Sequence, residues 1–164
     1  FTQGYTGTLE NAYGIWESGY TSTESDPRGI EADGNLDGNF PTQTGQSDFT
    51  VKNVTFDLKL AKAADTDVSN VTNKMQDVIK MRRGAKSTII NALIKGTGTV
   101  IDLIDFSDGK GTGDNTSTIS LTNSLTNPIL GKVINPETGF PGANIVSGNS
   151  GCPTSLFAWT KYSF

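Results

Sequence analysis

The stretch Phe49-Thr50-Val51-Lys52-Asn53-Val54-Thr55-Phe56-Asp57-Leu58-Lys59-Leu60 carries the clearest strand pattern in the chain. Phe49 and Val51 alternate with polar neighbours in one phase. Val54, Phe56, Leu58 and Leu60 alternate in the opposite phase. Period two is the mark of a strand with one buried face. A slip of one residue turns every later side chain to the other face. The parity switch at Lys52-Asn53 therefore predicts a β-bulge, an extra residue that returns both halves to one buried face.

Upstream, residues 1–20 carry Phe1, Tyr5, Tyr13, Trp16 and Tyr20 among Thr and Gly, and they read as one or two short strands. Residues 21–48 are polar and rich in turn pairs such as Asp33-Gly34 and Asp37-Gly38. Downstream, Val68, Val71, Met75, Val78 and Ile79 fall at helical spacing. Asp67 stands where an N-cap would, and Gly84 where a C′ glycine would. This predicts a helix over 67–83. Ile89, Ile90, Leu93 and Ile94 predict a second one over 87–95, with a strand as the weaker alternative. Further strands are expected at Thr99–Phe106, Thr116–Leu121 and 155–163, and no internal repeat is visible.

Strands at both ends around a helical insertion predict a mainly β chain. The expected architecture is an antiparallel β-sandwich or barrel with one or two inserted helices, about 67–83 and 87–95, in one domain over 1–164. Segment 1–16 is flexible and Thr/Gly-rich, with apolar anchors at Tyr5, Leu9, Tyr13 and Ile15. Such a terminal strand can complete a neighbour's sheet.

Composition narrows the function. Of 164 residues, 34% are hydrophobic and only 18% charged, with 19 glycines. The balance is made up by uncharged polar residues, which suit solvent-facing strands and turns. The expected location is extracellular, on a cell surface or in a virion. Phe1 in first place fits a processed terminus, and a trimmed chain would look the same. A net charge of −4 argues against a nucleic-acid partner. No apolar run approaches the roughly 18 residues of a membrane span. The single Cys152 excludes an intrachain disulfide and is expected to be buried or to bridge subunits.

The chain has no histidine. That removes Ser-His-Asp and Cys-His nucleophilic machinery and the commonest metal ligand. With one Cys, a structural zinc site is not expected either. Asp108-Gly109-Lys110-Gly111-Thr112 lacks the glycine and hydroxyl positions of a phosphate-binding P-loop. Carboxylate-pair chemistry is all that remains to an enzyme.

One constellation points to an ion. Asp33-Gly34-Asn35-Leu36-Asp37-Gly38-Asn39 reproduces the first half of a calcium loop, so Asp33, Asn35, Asp37 and Asn39 are candidate calcium ligands. Position 12 holds Thr44 in place of the usual Glu, and Glu31 or Asp48 would close the shell. The alternative is a pair of turns without an ion. No other cofactor is expected. Among the sequons at Asn53, Asn70 and Asn115, Asn115 is the best placed acceptor because it lies in a loop.

Three functions follow as expectations. The first is a non-enzymatic structural subunit that joins copies of itself into a filament, pilus or tube through strand edges. The second is a virion structural protein, such as a tail tube or capsid decoration. The third is a secreted glycan-binding module using Trp16, Tyr20, Trp159 and Tyr162 as stacking platforms.

Overall fold

The structure, a computed structural model, describes residues 1–34, 44–59 and 74–164. Among these residues, nine strands fall into two sheets. β1 (Thr6–Trp16), β3 (Asp48–Leu58), β5 (Lys86–Gly96), β7 (Thr118–Leu125) and β9 (Ala143–Ile145) form the first, in that spatial order. β2 (Arg28–Asp33), β4 (Lys74–Arg82), β6 (Thr99–Asp105) and β8 (Ile134–Asn135) form the second. Every pairing between these strands is parallel. The chain passes from one sheet to the other and back, adding a rung each time. The result is a parallel β-helix.

This corrects the antiparallel sandwich or barrel. It also corrects the inserted helices. Residues 74–82 of the 67–83 segment are β4, and residues 67–73 lie outside the described residues. The 87–95 segment lies inside β5. A 3-10 helix, Thr154–Thr160, stands where the last strand was expected.

The physical reason for the misreading of 87–95 lies at Asn91, one of three asparagines that make the same corner. Asn11, Asn53 and Asn91 have φ of 63°, 54° and 56°. Asn tolerates this left-handed conformation better than most residues. Each inserts one residue into the alternation, so buried positions fall at Val51, Val54 and Phe56, and again at Ile89, Ala92 and Ile94. A spacing of three then imitates a helix. At Asn53 the corner restores one buried face, as the parity of 49–60 requires.

Stacking the rungs lines like side chains above one another. Leu9, Val51, Ile89, Ile119 and Ala143 form one column by register. Ile30, Ile79, Ile104 and Ile134 form another. Ile79 and Ile104 are fully buried. Burying one such side chain is worth roughly 1.5–3 kcal/mol.

The C-terminal residues cross the outer face of the first sheet as a strap. Asn149 Nδ2 donates to the carbonyls of Ala92 and Ser120, both at 3.0 Å. Ser150 and Gly151 N–H donate to Asn91 Oδ1 at 2.8 and 3.1 Å. Cys152 N–H donates to Thr55 Oγ1 at 2.9 Å. Phe164 then packs edge-on against Tyr13 of β1, with 5.2 Å between ring centroids. Gly151 is required where the strap bends: its φ is 65°, and a Cβ there would stand 2.1 Å from Thr55 Oγ1.

Candidate functional site

The first rung leaves an open edge. Among the described residues, β1 pairs only with β3 and β2 only with β4. The backbone groups along the other side of β1 are thus free to accept a further strand. The interior is open at this end as well. A cavity of about 310 Å³ is bordered by Phe1, Leu9, Val51 and Phe56. A second, of about 280 Å³, is bordered by Trp16, Tyr20, Arg28 and Met75. Leu9 is 39% exposed, although it heads the column in which Val51 is fully buried. At the opposite end Phe140 stacks on Phe106, with 3.9 Å between centroids.

Register with β3 sorts the side chains of β1 by face. Gly7, Leu9, Ala12 and Gly14 lie beside Phe49, Val51, Val54 and Phe56, and so face inward. Thr8, Glu10, Asn11, Tyr13 and Ile15 belong to the outer face. The four anchors expected from sequence therefore do not share a surface. Tyr5 precedes β1, Leu9 points inward, and Tyr13 and Ile15 belong to the outside. The Tyr13 hydroxyl donates to Asp57 Oδ2 at 2.8 Å, beneath the strap. Burial, chiefly, pushes the Tyr13 phenol above its ordinary pKa.

A ladder of side-chain amides runs along the corner of this sheet. Asn91 Nδ2 donates to Asn53 Oδ1 at 2.8 Å, and Asn53 Nδ2 donates to Asn11 Oδ1 at 3.0 Å. The Ser150 and Gly151 N–H groups fix the orientation of Asn91, because a backbone N–H can bond only to the amide oxygen. The ladder is thus closed by the strap at one end. Its last amide, Asn11 Nδ2, meets no acceptor among the described residues.

The second sheet carries a strip of charge. Arg28, Asp77 and Asp102 are neighbours by register, as are Glu31, Lys80 and Asp105. Asp77, Asp102 and Asp105 are buried, and one carboxylate oxygen from each lies within 4.8 Å of the others. Three such acids could hold a metal ion. Each, however, faces donors of its own. Arg28 Nε donates to Asp77 at 2.9 Å. Lys132 N–H and Asn135 Nδ2 donate to Asp102 at 2.6 and 3.0 Å. Asp105 accepts from Lys80 Nζ and from Ser107 N–H and Oγ. Burial lifts the Asp77 carboxyl above the usual carboxylate range despite its bond to Arg28. Asp108 is moved the other way. Burial would raise it, but the Lys110 N–H and the Arg83 and Arg82 guanidiniums hold it low.

The family model described as a pectate-lyase-like β-helix domain matches residues 1–160. The chain belongs to that family. No curated protein and no solved structure matches it. The family includes enzymes, and membership fixes the coil without assigning a chemistry to this chain.

Within this pectate-lyase-like β-helix domain, the remaining candidates fall as follows. Asn35, Asp37 and Asn39 of the calcium loop lie outside the described residues. Asp33 is bound by Arg82 Nε at 2.7 Å, and Glu31 accepts from Arg28 at 2.8 Å. Asp48 pairs with Lys86 at 3.8 Å. Asn115 is exposed in the turn between β6 and β7. Cys152 is a buried residue of the strap, and burial pushes its thiol up. Trp16 is buried, with its indole N–H donating to the Tyr20 carbonyl at 3.0 Å, so it is no stacking platform. Trp159 is 79% exposed. Among the described residues no helix is long and apolar enough to cross a membrane.

The sequence pattern marked the corner at Asn53 but did not bring out Glu10, Asn11 or Asn91. A signal was present: Leu9-Glu10-Asn11-Ala12, Val51-Lys52-Asn53-Val54 and Ile89-Ile90-Asn91-Ala92 share an apolar-x-Asn-apolar pattern.

Proposed function

We propose that this β-helix domain is a non-catalytic structural subunit of an extracellular or virion surface assembly, joined to copies of itself along the strand edge of its first rung. The observation that carries this reading is the state of that edge. β1 is 11 residues long, with seven of them exposed and only Trp16 buried, and stands over an interior whose apolar wall is unfilled. A long, exposed edge above an open core is a template for another strand.

The charged strip supports the non-catalytic half of the reading. A general acid or base needs an open path to substrate. Asp77, Asp102 and Asp105 are buried and turned to Arg28, Asn135 and Lys80. Their arrangement sets Arg28 against Asp77 and Lys80 against Asp105 across neighbouring rungs, which suits a role in holding the rungs in register.

Sedimentation velocity of the full chain over a range of concentrations tests the reading. A species heavier than the monomer, growing with concentration, is expected. A monomer at every concentration would overturn it.

A further inference from the structure

Resting on that reading, we propose that the occupant of the β1 edge is the β1 edge of a second copy, paired antiparallel about a two-fold axis through the Asn11 corner. The argument begins with faces. Residues directly opposite each other in an antiparallel pair point to the same side. The corner at Asn11 shifts the parity of β1, so most registers would set an inward residue against an outward one. One register keeps the faces matched along the strand. It sets Gly7 against Gly14 of the second copy, Leu9 against Ala12, Glu10 against Asn11, Thr8 against Tyr13 and Thr6 against Ile15.

The chemistry of that register is self-complementary. Leu9 and Ala12 meet across the opening and extend the apolar column of both coils. Glu10 is the single charged residue of β1 and is exposed, so no like charges face each other. It meets Asn11, whose Nδ2 points out of the ladder with no acceptor among the described residues. Ladder polarity, set by the strap, aims that donor at the open edge. Symmetry makes the Glu10–Asn11 bond twice, as an isologous contact requires. A head-to-tail stack lacks these features. At the far end β8 and β9 offer only 2 and 3 residues, and the strap has already closed the ladder. The assembled unit is then a closed pair of coils rather than an open filament.

The test is cysteine cross-linking in the full chain, with sedimentation run in parallel. Thr6→Cys mixed with Ile15→Cys should give a covalent heterodimer on mild oxidation, and neither variant alone should cross-link. Glu10→Cys mixed with Asn144→Cys reports head-to-tail contact and should give no cross-link between residues 10 and 144. Glu10→Arg, which sets a donor against a donor, should weaken association about tenfold or more, while Glu10→Gln retains it. A cross-link between residues 10 and 144, or no cross-link from the residue 6 and 15 pair in a chain that still dimerises, overturns the register and leaves edge assembly standing. A chain that never associates overturns both.

Discussion

Asn53 donates its side-chain amide to Asn11 Oδ1 at 3.0 Å across two adjacent rungs, between residues 42 apart in the chain. Both residues hold left-handed backbone. The bond therefore joins two corners, and it passes on an orientation that the strap sets at Asn91. Strap, ladder and edge form one connected system, in which the amide left without an acceptor among the described residues lies at the proposed contact.

Asn53→Ala should cost about 2–3 kcal/mol. Two amide bonds contribute about 1 kcal/mol each, and a Cβ-bearing residue without a local polar group adds about 1 kcal/mol of left-handed strain. Asn53→Gly keeps the backbone and should cost only the bonds, about 1–2 kcal/mol. Urea melts of the two variants separate the contributions. Equal losses would show that the ladder bonds, not the left-handed corner, carry the cost.

Lys80 and Asp105 form a buried pair, with side chains 8% and 6% exposed. Lys80→Met alone should lose about 3–5 kcal/mol, because it leaves Asp105 charged without its cation. Lys80→Met with Asp105→Leu should recover most of that loss. A double variant as unstable as the single would contradict an electrostatic origin.

Asp77 and Asp108 should give opposite pH dependences. The folded Asp77 pKa is raised, so its stabilising contribution is present below the ordinary carboxylate pKa and is lost as pH rises through the folded value. Asp77→Asn should thus gain on the wild type as pH increases through the acid range. The folded Asp108 pKa is lowered, so its contribution is present above the ordinary value and is lost as pH falls through the folded one. Asp108→Asn should be less stable than the wild type at neutral pH and converge on it in acid. Melting temperatures from pH 2 to 7 would show both slopes.

Gly151→Ala should detach the strap without unfolding the coil. Its new methyl would collide with the Thr55 hydroxyl, where the glycine also holds a φ of 65°. Limited proteolysis should cut within residues 152–164 faster, while the far-ultraviolet circular dichroism of the sheets persists. Wild-type resistance in the variant would mean that the strap is held by its aromatic contacts alone.

β1, β3, β6 and β7 were legible in the sequence as strands; β4 and β5 read as helices, β2 fell in a stretch read as turns, and the arrangement of the strands was not legible. β3 and β6 follow from apolar alternation and an apolar run. Pairing direction is a property of distant residues. Here the rungs of the first sheet repeat at separations of 42, 38, 30 and 24 residues. Loops of unequal length destroy the fixed period that exposes a coil. β4, buried on much of both faces, loses its alternation, and in β5 the Asn91 corner supplies a false helical spacing. The candidate site was half legible. Segment 1–16 stood out, but its anchors could be assigned to faces only through register with β3. The buried acids were beyond reach, because Asp77 and Asp102 meet only when one rung is laid on the next.

Hydrogen exchange of the β1 amides at two protein concentrations tests the central claim most directly. Amides on the free side of residues 6–16 should exchange rapidly in dilute solution and become protected at high concentration, while β5 remains protected throughout. Exchange of β1 that does not change with concentration would contradict an edge that joins copies of this chain.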